Sequence, residues 1–225
     1  MNNIIFTHIP KTAGTTFRHI IDSNFSQDEI IRLSGRKSFI TATRKKVFMG
    51  HIPYGIHRYR PLTKFDYITF LRNPIERTIS HYFFVLQGIK HPNHEFHKNN
   101  SIEDILAYKG SYNNFGILRD NLQTRFLYGF EALKNKPINE LELLNKAKYH
   151  LKYKYKTFGI QEKFKDSVEK MCFDLGLNYS EDLILERNKV TKIKKDFPEQ
   201  TVNFIIEKNK LDIELYEYAL KLKYR

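Results

Sequence analysis

The stretch FTHIPKTAGTTF, from Phe6 to Phe17, predicts a strand, a tight loop and a helix in that order. An apolar run leads into the loop, and Phe17, Ile20 and Ile21 recur after it at helical spacing. In this arrangement the N–H groups of the loop and the positive end of the helix dipole point at one spot. The segment therefore favours binding of an anionic group.

The composition of the loop supports anion binding over an ordinary strand-to-helix turn, which is the alternative. The loop combines a lysine, a glycine and three threonine hydroxyls within six residues: Lys11, Thr12, Ala13, Gly14, Thr15 and Thr16. Glycine lets a ligand approach the backbone closely, lysine supplies a point charge, and the hydroxyls are short donors. The order GxxxxGK[ST] of nucleotide triphosphatases is absent, because the lysine comes before the glycine.

Length and composition predict one α/β domain over residues 1–225. The chain has 225 residues and 41% hydrophobic content, enough for a sizeable core. The formal net charge of +13 and the isoelectric point of about 9.6 predict attraction to polyanions or anionic cofactors. On charge alone, nucleic acid, anionic glycans and acidic membrane surfaces are all candidates.

Cellular context is predicted from what the sequence lacks. The single cysteine, Cys172, lies in an apolar helical pattern and is expected to be a core thiol. We find neither an apolar run long enough to span a membrane nor room for a signal peptide before the loop, which predicts a cytoplasmic protein. The abundance of Lys, Asn, Ile, Phe and Tyr favours a bacterial source.

A second motif, YITFLRNPIERTISHYFFVL from Tyr67 to Leu86, predicts another strand and helix. Pro74 suits the first helical turn, and Gly88 ends the pattern. One face of this helix is predicted to be apolar: Ile75, Ile79, Tyr82, Phe83 and Leu86. Arg77, Ser80 and Phe84 fall on the opposite face. Arg72 at the strand end and Ser80 are expected to bind a second phosphate, with Arg77 as the alternative to Arg72.

Together, PKTAGTT and RNPIERTISHY resemble the two phosphate-binding signatures of sulfotransferases that use 3′-phosphoadenosine 5′-phosphosulfate (PAPS). The closest resemblance is to the carbohydrate branch that includes the heparan sulfate 2-O- and 6-O-sulfotransferases. It implies PAPS as cofactor, 3′-phosphoadenosine 5′-phosphate (PAP) as product, and no metal. By this resemblance the residues from Lys11 to Thr16 hold the 5′-phosphosulfate, while Arg72 and Ser80 hold the 3′-phosphate.

Later segments extend the resemblance. GHIPYGIH, residues 50–57, is similar to the segment that carries the catalytic histidine, which implies His51 as base and His57 as second choice. DNLQTRFL, residues 120–127, is similar to the family's helix at the acceptor cleft. This similarity implies substrate contacts from Asn121, Gln123 and Arg125.

Two further similarities concern the nucleotide end and the late part of the chain. ERNKVTK, residues 186–192, is similar to the loop that closes over the nucleotide and implies a cofactor contact from Asn188. The basic run at 189–196 is either such a contact or a solvated loop. FGIQEKF, residues 158–164, is similar to a late strand-to-helix junction.

Each histidine has a structural alternative. His51 follows an apolar run, and an imidazole at a strand end titrates near neutrality, so it can serve as a general base or can stabilise the turn. His8, beside the loop, is expected to fix loop geometry. The remaining histidines weighed here lack the context of a metal site: His81, His91, His94, His97 and His150.

The predicted fold is α/β: a parallel sheet flanked by helices, with a P-loop-like phosphosulfate-binding loop after the first strand. Strands are expected at 3–7, 46–51, 67–71 and 156–160. Residues 100–153 and 198–223 are expected to be mainly helical.

The predicted function is transfer of the sulfuryl group of PAPS to a hydroxyl of a carbohydrate by in-line displacement, with Lys11 and a histidine as catalytic residues. The expected partner is a neutral or anionic glycan, such as a capsular or cell-envelope sugar, and not nucleic acid. The alternatives are a nucleotide kinase or NTPase, which would need a Walker lysine and an acidic Mg²⁺ ligand, and a basic nucleic-acid-binding module.

Overall fold

The computed structural model describes residues 2–33, 35–108, 119–133, 137–180 and 197–224. In these residues a parallel sheet has the strand order β2-β3-β1-β4-β5. The strands are β1 (Asn3–Thr7), β2 (Ile30–Arg32), β3 (Val47–Gly50), β4 (Phe65–Leu71) and β5 (Tyr155–Ile160).

Helices connect and flank the strands. The α-helices are α1 (Gly14–Asn24), α2 (Arg36–Thr41), α3 (Pro74–Gln87), α4 (His94–Lys98), α5 (Ile102–Ala107), α6 (Leu122–Tyr128), α7 (Glu140–Tyr153), α8 (Phe164–Leu175), α9 (Glu199–Lys208) and α10 (Lys210–Lys223). Short 3-10 helices cover Ile56–Tyr59, Phe130–Leu133 and Gln161–Lys163. Among the helices in the described ranges, none is long and apolar enough to cross a membrane.

The predicted α/β class with a parallel sheet is confirmed, and the four predicted strands occur within two residues of their expected bounds. Only β2 was not foreseen. It is three residues long and pairs with β3 alone, so its apolar run is too short to stand out from the surrounding loop.

Strand register brings the loops that carry the motifs to one edge of the sheet. Thr7 of β1 pairs with Gly50 of β3 on one side and with Thr69 of β4 on the other, and Leu71 pairs with Ile160 of β5. Because all pairs are parallel, the segments that follow β1, β3, β4 and β5 meet at the carboxyl edge, where open α/β sheets bind ligands.

Apolar side chains fill both faces of the sheet. One face packs Phe48, Tyr67 and Phe126, and the other packs Phe17, Phe70 and Cys172. Burial raises the pKa of the Cys172 thiol to about 11, so the thiol is protonated at neutral pH, as expected of a core residue.

The predicted polar face of α3 was wrong for Arg77. Its side chain is fully buried and faces α10, where the buried carboxylate of Asp212 opposes it. Burial lowers the pKa of Arg77 to about 10, and the Asp212 charge counteracts that fall. The apolar residues Ile75 and Ile79 are only partly buried, because they pack against a separate small cluster around Ile105. Helix α3 is therefore covered on two sides, which hydrophobic periodicity alone does not reveal.

Candidate active site

A cavity of about 470 Å³ opens at the carboxyl edge of the sheet. Its volume is in the range of small-molecule and cofactor sites. The described residues that line it come from the segments after β1, β3, β4 and β5, from α1, and from α3 with the turn that follows: His8, Pro10, Lys11, Ala13, Gly14, Thr15, His51, Arg72, Ser80, His81, Phe84, His91 and Gln161. The two predicted phosphate motifs thus share one cavity.

The loop between β1 and α1 has an unusual backbone. Lys11 and Ala13 have φ angles of 67° and 65°, the left-handed region that residues other than glycine seldom adopt. Each such residue costs on the order of 1–3 kcal/mol. Thr12 offsets part of this cost by donating its hydroxyl to the carbonyl of Ile9 at 2.8 Å, and Arg72 donates from Nη1 to the carbonyl of Lys11 at 3.3 Å.

Helix α1 presents its amino end to the cavity. The residue before it, Ala13, offers no side-chain cap, and the first turn contains no acidic residue. The first N–H groups of a helix have no partner within the helix, so those of Gly14 and Thr15, both lining residues, are suited to an anion.

Close packing of His8 explains the glycine at position 14. The His8 ring stacks on Phe6 with a centroid distance of 5.5 Å, and a Cβ atom on Gly14 would overlap that ring. Burial, followed by the nearby rings and cations His51, Arg18 and Lys11, lowers the pKa of His8 to about 3. His8 is therefore a neutral wall of the loop.

The two ring nitrogens of His51 differ: Nδ1 is hydrogen-bonded, and Nε2 has no described hydrogen-bond partner. Its Nδ1 lies 2.6 Å from the carbonyl oxygen of His8. A carbonyl only accepts, so Nδ1 carries the hydrogen and Nε2 is the unprotonated nitrogen of the neutral ring. The residue is exposed at the mouth of the cavity, yet the protein around the ring lowers its pKa below 6.5, and the bond to His8 partly opposes this shift.

His57 has the opposite arrangement. The Tyr67 hydroxyl oxygen accepts from the backbone N–H groups of Gly55 and His57, and it lies 2.9 Å from Nδ1 of His57. With both lone pairs of that oxygen used, its hydrogen is donated to Nδ1, which leaves an N–H at Nε2 of the neutral ring. His57 is not among the described residues that line the cavity, and its place in the substrate site stays a prediction.

Arg72 is held by a backbone clamp. Gln123 accepts from the Arg72 N–H at 3.0 Å and donates to the Arg72 carbonyl at 2.9 Å. Burial lowers the pKa of Arg72, while the Glu162 and Glu76 carboxylates oppose that shift. Asn73 caps α3 by accepting from the N–H groups of Ile75 and Glu76.

Hydrogen bonds connect this clamp to both ends of the chain. The buried Asp212 of α10 accepts from the N–H groups of Gln123 at 3.0 Å and Thr124 at 2.7 Å. The Gln123 side chain hydrogen-bonds the backbone N–H and carbonyl of Arg72, and the Arg72 guanidinium donates to the carbonyl of Lys11. We call this series, Asp212–Gln123–Arg72–Lys11, the relay.

The three residues expected from the DNLQTRFL segment to touch substrate do not line the cavity. Asn121 accepts from the N–H groups of Leu211 and Asp212, and Gln123 holds Arg72. Arg125 pairs with Asp120 at 2.6 Å. These three residues make structural contacts, because α6 packs against α10 and α7, and their substrate contacts stay a prediction.

Three residues expected at the cofactor are not among the described residues that line the cavity. Thr12 is fully buried and bonded to Ile9, while Arg77 faces α10. Thr16 lies one residue beyond the described lining. Asn188 and the basic run at 189–196 lie outside the described residues.

Several lining residues were not predicted as site residues. His81 and Phe84 lie on the same helix as Ser80, so a search along that helix face could have found them. Gln161 directly follows β5, and the rule that parallel strands end at one edge points to it. The sequence gives no comparable signal for His91.

Comparisons with known proteins identify the family and the fold. The chain matches the sulfotransferase family model over residues 1–219. A search of curated proteins finds no significant match. Among solved structures, mouse sulfotransferase SULT7A1 complexed with PAP is similar with a TM-score of 0.50 and 12% sequence identity, over 96% of this chain and 89% of that one. At this identity the likeness shows the fold.

The chain belongs to the sulfotransferase family. The prediction of an enzyme of this class is thereby confirmed, and so is the recognition of the family from its two motifs.

Proposed function

We propose that this protein transfers the sulfuryl group of PAPS to a hydroxyl of a carbohydrate, releasing PAP. The observation that carries the proposal is the meeting of Lys11, the amino end of α1, Arg72, Ser80 and His51 around one cavity. Membership of the sulfotransferase family supports it, as does likeness to a fold solved with PAP. In this proposal residues 1–225 form one domain.

The first half of the site binds the nucleotide. The N–H groups of Gly14 and Thr15 bind the 5′-phosphosulfate, with Lys11 beside them. Arg72 and Ser80 bind the 3′-phosphate through charge-assisted hydrogen bonds. The clamp from Gln123 fixes the backbone of Arg72, so the guanidinium is positioned before the ligand arrives.

The second half performs the transfer. The acceptor hydroxyl attacks sulfur in line with the bond to the bridging oxygen, a new S–O bond forms, and the old one breaks. Nε2 of His51 takes the hydroxyl proton, and Lys11 neutralises the charge that grows on the bridging oxygen. The neutral His51 ring can accept this proton near neutral pH because its Nε2 is unprotonated.

The acceptor is proposed by resemblance to the heparan sulfate 2-O- and 6-O-sulfotransferases. A cell-envelope or capsular glycan is our first choice. The net charge of +13 makes an acidic polymer favourable as the acceptor.

Nucleotide preference tests the proposal most directly. Calorimetric titration with PAP, ATP and a short oligonucleotide should give the tightest binding with PAP. Tighter binding of ATP would favour a kinase or NTPase, and tighter binding of the oligonucleotide would favour a nucleic-acid module. Transfer of labelled sulfate from PAPS to a panel of desulfated polysaccharides then identifies the acceptor.

The 3′-phosphate site has its own test. Arg72→Ala and Ser80→Ala should each weaken PAP by about 1.5–3 kcal/mol. Both should weaken adenosine 5′-phosphosulfate, which lacks the 3′-phosphate, far less than they weaken PAP. Arg44→Ala, at the opposite edge of the sheet, is the control for loss of one positive charge. Equal losses for the two nucleotides would place the 3′-phosphate elsewhere.

A further inference from the structure

The ammonium group of Lys11 sits on an aromatic ring. Its Nζ lies 4.3 Å from the centroid of Phe84, within the 6 Å of a cation–π contact. Phe84 is on α3, one turn after Ser80, and its side chain is 51% exposed although it lines the cavity.

The charges around Lys11 do not supply an attractive partner. In the described ranges no carboxylate lies within ion-pair distance of its ammonium group, and the Arg72 charge repels it. Burial is the main cause, and Arg72 the second, of a lowered pKa for Lys11. The face of the Phe84 ring carries a negative potential, which attracts the ammonium group of Lys11.

A ring and a carboxylate would hold the ammonium group with different consequences. A carboxylate would cancel the positive charge that an anionic ligand needs, and it would itself repel that ligand. An aromatic face attracts the cation through its quadrupole and leaves the net charge of the site unchanged. Lys11 therefore keeps a full positive charge for the cavity.

We propose that Phe84 is a positioning residue for Lys11: its ring holds the ammonium group, charged, beside the anion-binding end of α1. The role of Lys11 in catalysis rests on the proposed function. The contact between the ring and the ammonium group, and its effect on the pKa of Lys11, are independent of that function. Both can therefore be tested in the unliganded protein.

Fluorination of the ring separates the electrostatic effect of the ring from the effect of its size and shape. Replacing Phe84 by 3,4,5-trifluorophenylalanine keeps nearly the same shape and burial but removes most of the negative potential of the ring face. The acid dissociation constant of Lys11 should then rise about two- to fivefold, the range of a partly exposed cation–π contact. Competitive labelling of lysines with trace acetic anhydride across a pH series, read by mass spectrometry, measures it.

A matched control lies elsewhere on the surface. Lys170 stands 5.9 Å over the ring of Phe173, which is 83% exposed. Fluorination of Phe173 should leave Lys11 unchanged, and Phe84→Tyr, which keeps a ring face, should also preserve the Lys11 value. An unchanged dissociation constant of Lys11 after fluorination of Phe84 would overturn the inference.

Activity provides the second readout. In the fluorinated Phe84 protein, the alkaline limb of the rate profile should move to lower pH. The size of this move should equal the fall in the pKa of Lys11 that labelling measures. If labelling responds but the wild-type protein transfers no sulfate, the proposed function fails and the positioning role stands. If transfer occurs and labelling does not respond, the positioning role fails alone.

Discussion

At the scale of single residues, Lys11 is a cation held beside the amino end of α1 in a left-handed backbone conformation. Lys11→Ala should lower turnover about 100- to 1000-fold, which corresponds to about 3–4 kcal/mol of electrostatic stabilisation of the leaving oxygen. Initial rates with PAPS and the identified acceptor measure the loss. Lys170→Ala, an exposed lysine away from the cavity, should turn over normally, and normal turnover of Lys11→Ala would remove the assignment.

His51 is the residue whose removal should separate binding from chemistry. His51→Ala should keep its PAP affinity and lose about 100- to 10,000-fold in turnover, the range of a general base. Calorimetry and rate measurements on the same preparation give both values. Near wild-type transfer would show that another group takes the proton, and loss of the folded state would favour a purely structural His51.

The pKa of His51 also predicts the acid limb of the rate profile. A general base works unprotonated, and the surrounding protein lowers the pKa of His51 below 6.5. Activity should therefore be kept as the pH falls through 6.5 and should be lost only as the pH falls through the lowered value. A plot of kcat/KM against pH tests this, and an acid limb above pH 6.5 would contradict it.

At the scale of elements, the junction of β1 and α1 depends on the contact between Gly14 and His8. Gly14→Ala should destabilise the protein by about 1–3 kcal/mol, a typical cost of overpacking, and should weaken PAP binding. The double variant Gly14→Ala with His8→Ala should recover part of the stability, since the ring that the new methyl group overlaps is gone.

Thermal unfolding and PAP titration of both single variants and the double variant form a double-mutant cycle. It gives the stability and the PAP affinity of each protein. His8→Ala alone shows what loss of the ring costs. Strictly additive effects would mean that the methyl group does not meet the ring.

Elements that follow local patterns were predicted well from the sequence. Strand β1 and the loop after it combine an apolar run with Gly14 and Lys11. Strand β4 ends at Leu71, and Arg72 follows it just before a helix that begins at Pro74. Such signals lie within a few residues of one another, so a single sequence carries them. The burial of Arg77 is different, because its opposing charge, Asp212, lies on a helix far along the chain.

The same reasoning explains which parts of the site were missed. Asn121 and Gln123 are polar residues in a helix near the cavity, and nothing local shows that they bond to α10 and to Arg72 instead of a ligand. His91 lines the cavity without a signal in the sequence, whereas the end of β5 already points to Gln161. Long-range pairing of polar groups is the information that periodicity and motifs lack.

At the scale of the whole molecule, Asp212 joins the last helix to the parts that hold the site. Its carboxylate is fully buried, accepts from Gln123 and Thr124, and opposes the buried Arg77. Asp212→Ala should reduce the free energy of unfolding by about 3–5 kcal/mol, because it leaves an uncompensated buried arginine. Urea denaturation followed by circular dichroism measures the change.

A matched variant on the same helix controls for loss of a negative charge. Glu214 pairs with Lys148 at 3.6 Å and is exposed, so Glu214→Ala should change the free energy of unfolding by about 0–1 kcal/mol. Equal effects of the two substitutions would show that Asp212 contributes no more than a surface charge.

The relay has a consequence for the protein during its own synthesis. A nascent chain that has emerged only as far as α9 can form the sheet and the first loop, but it lacks the carboxylate of Asp212 that fixes Gln123. Arg72 and Lys11 are then without their final support, although both were translated long before. We therefore expect the nucleotide site to be completed only after α10 has left the ribosome and docked. A chain that ends before α10 should bind PAP more weakly than the full chain, which titration of the two proteins measures.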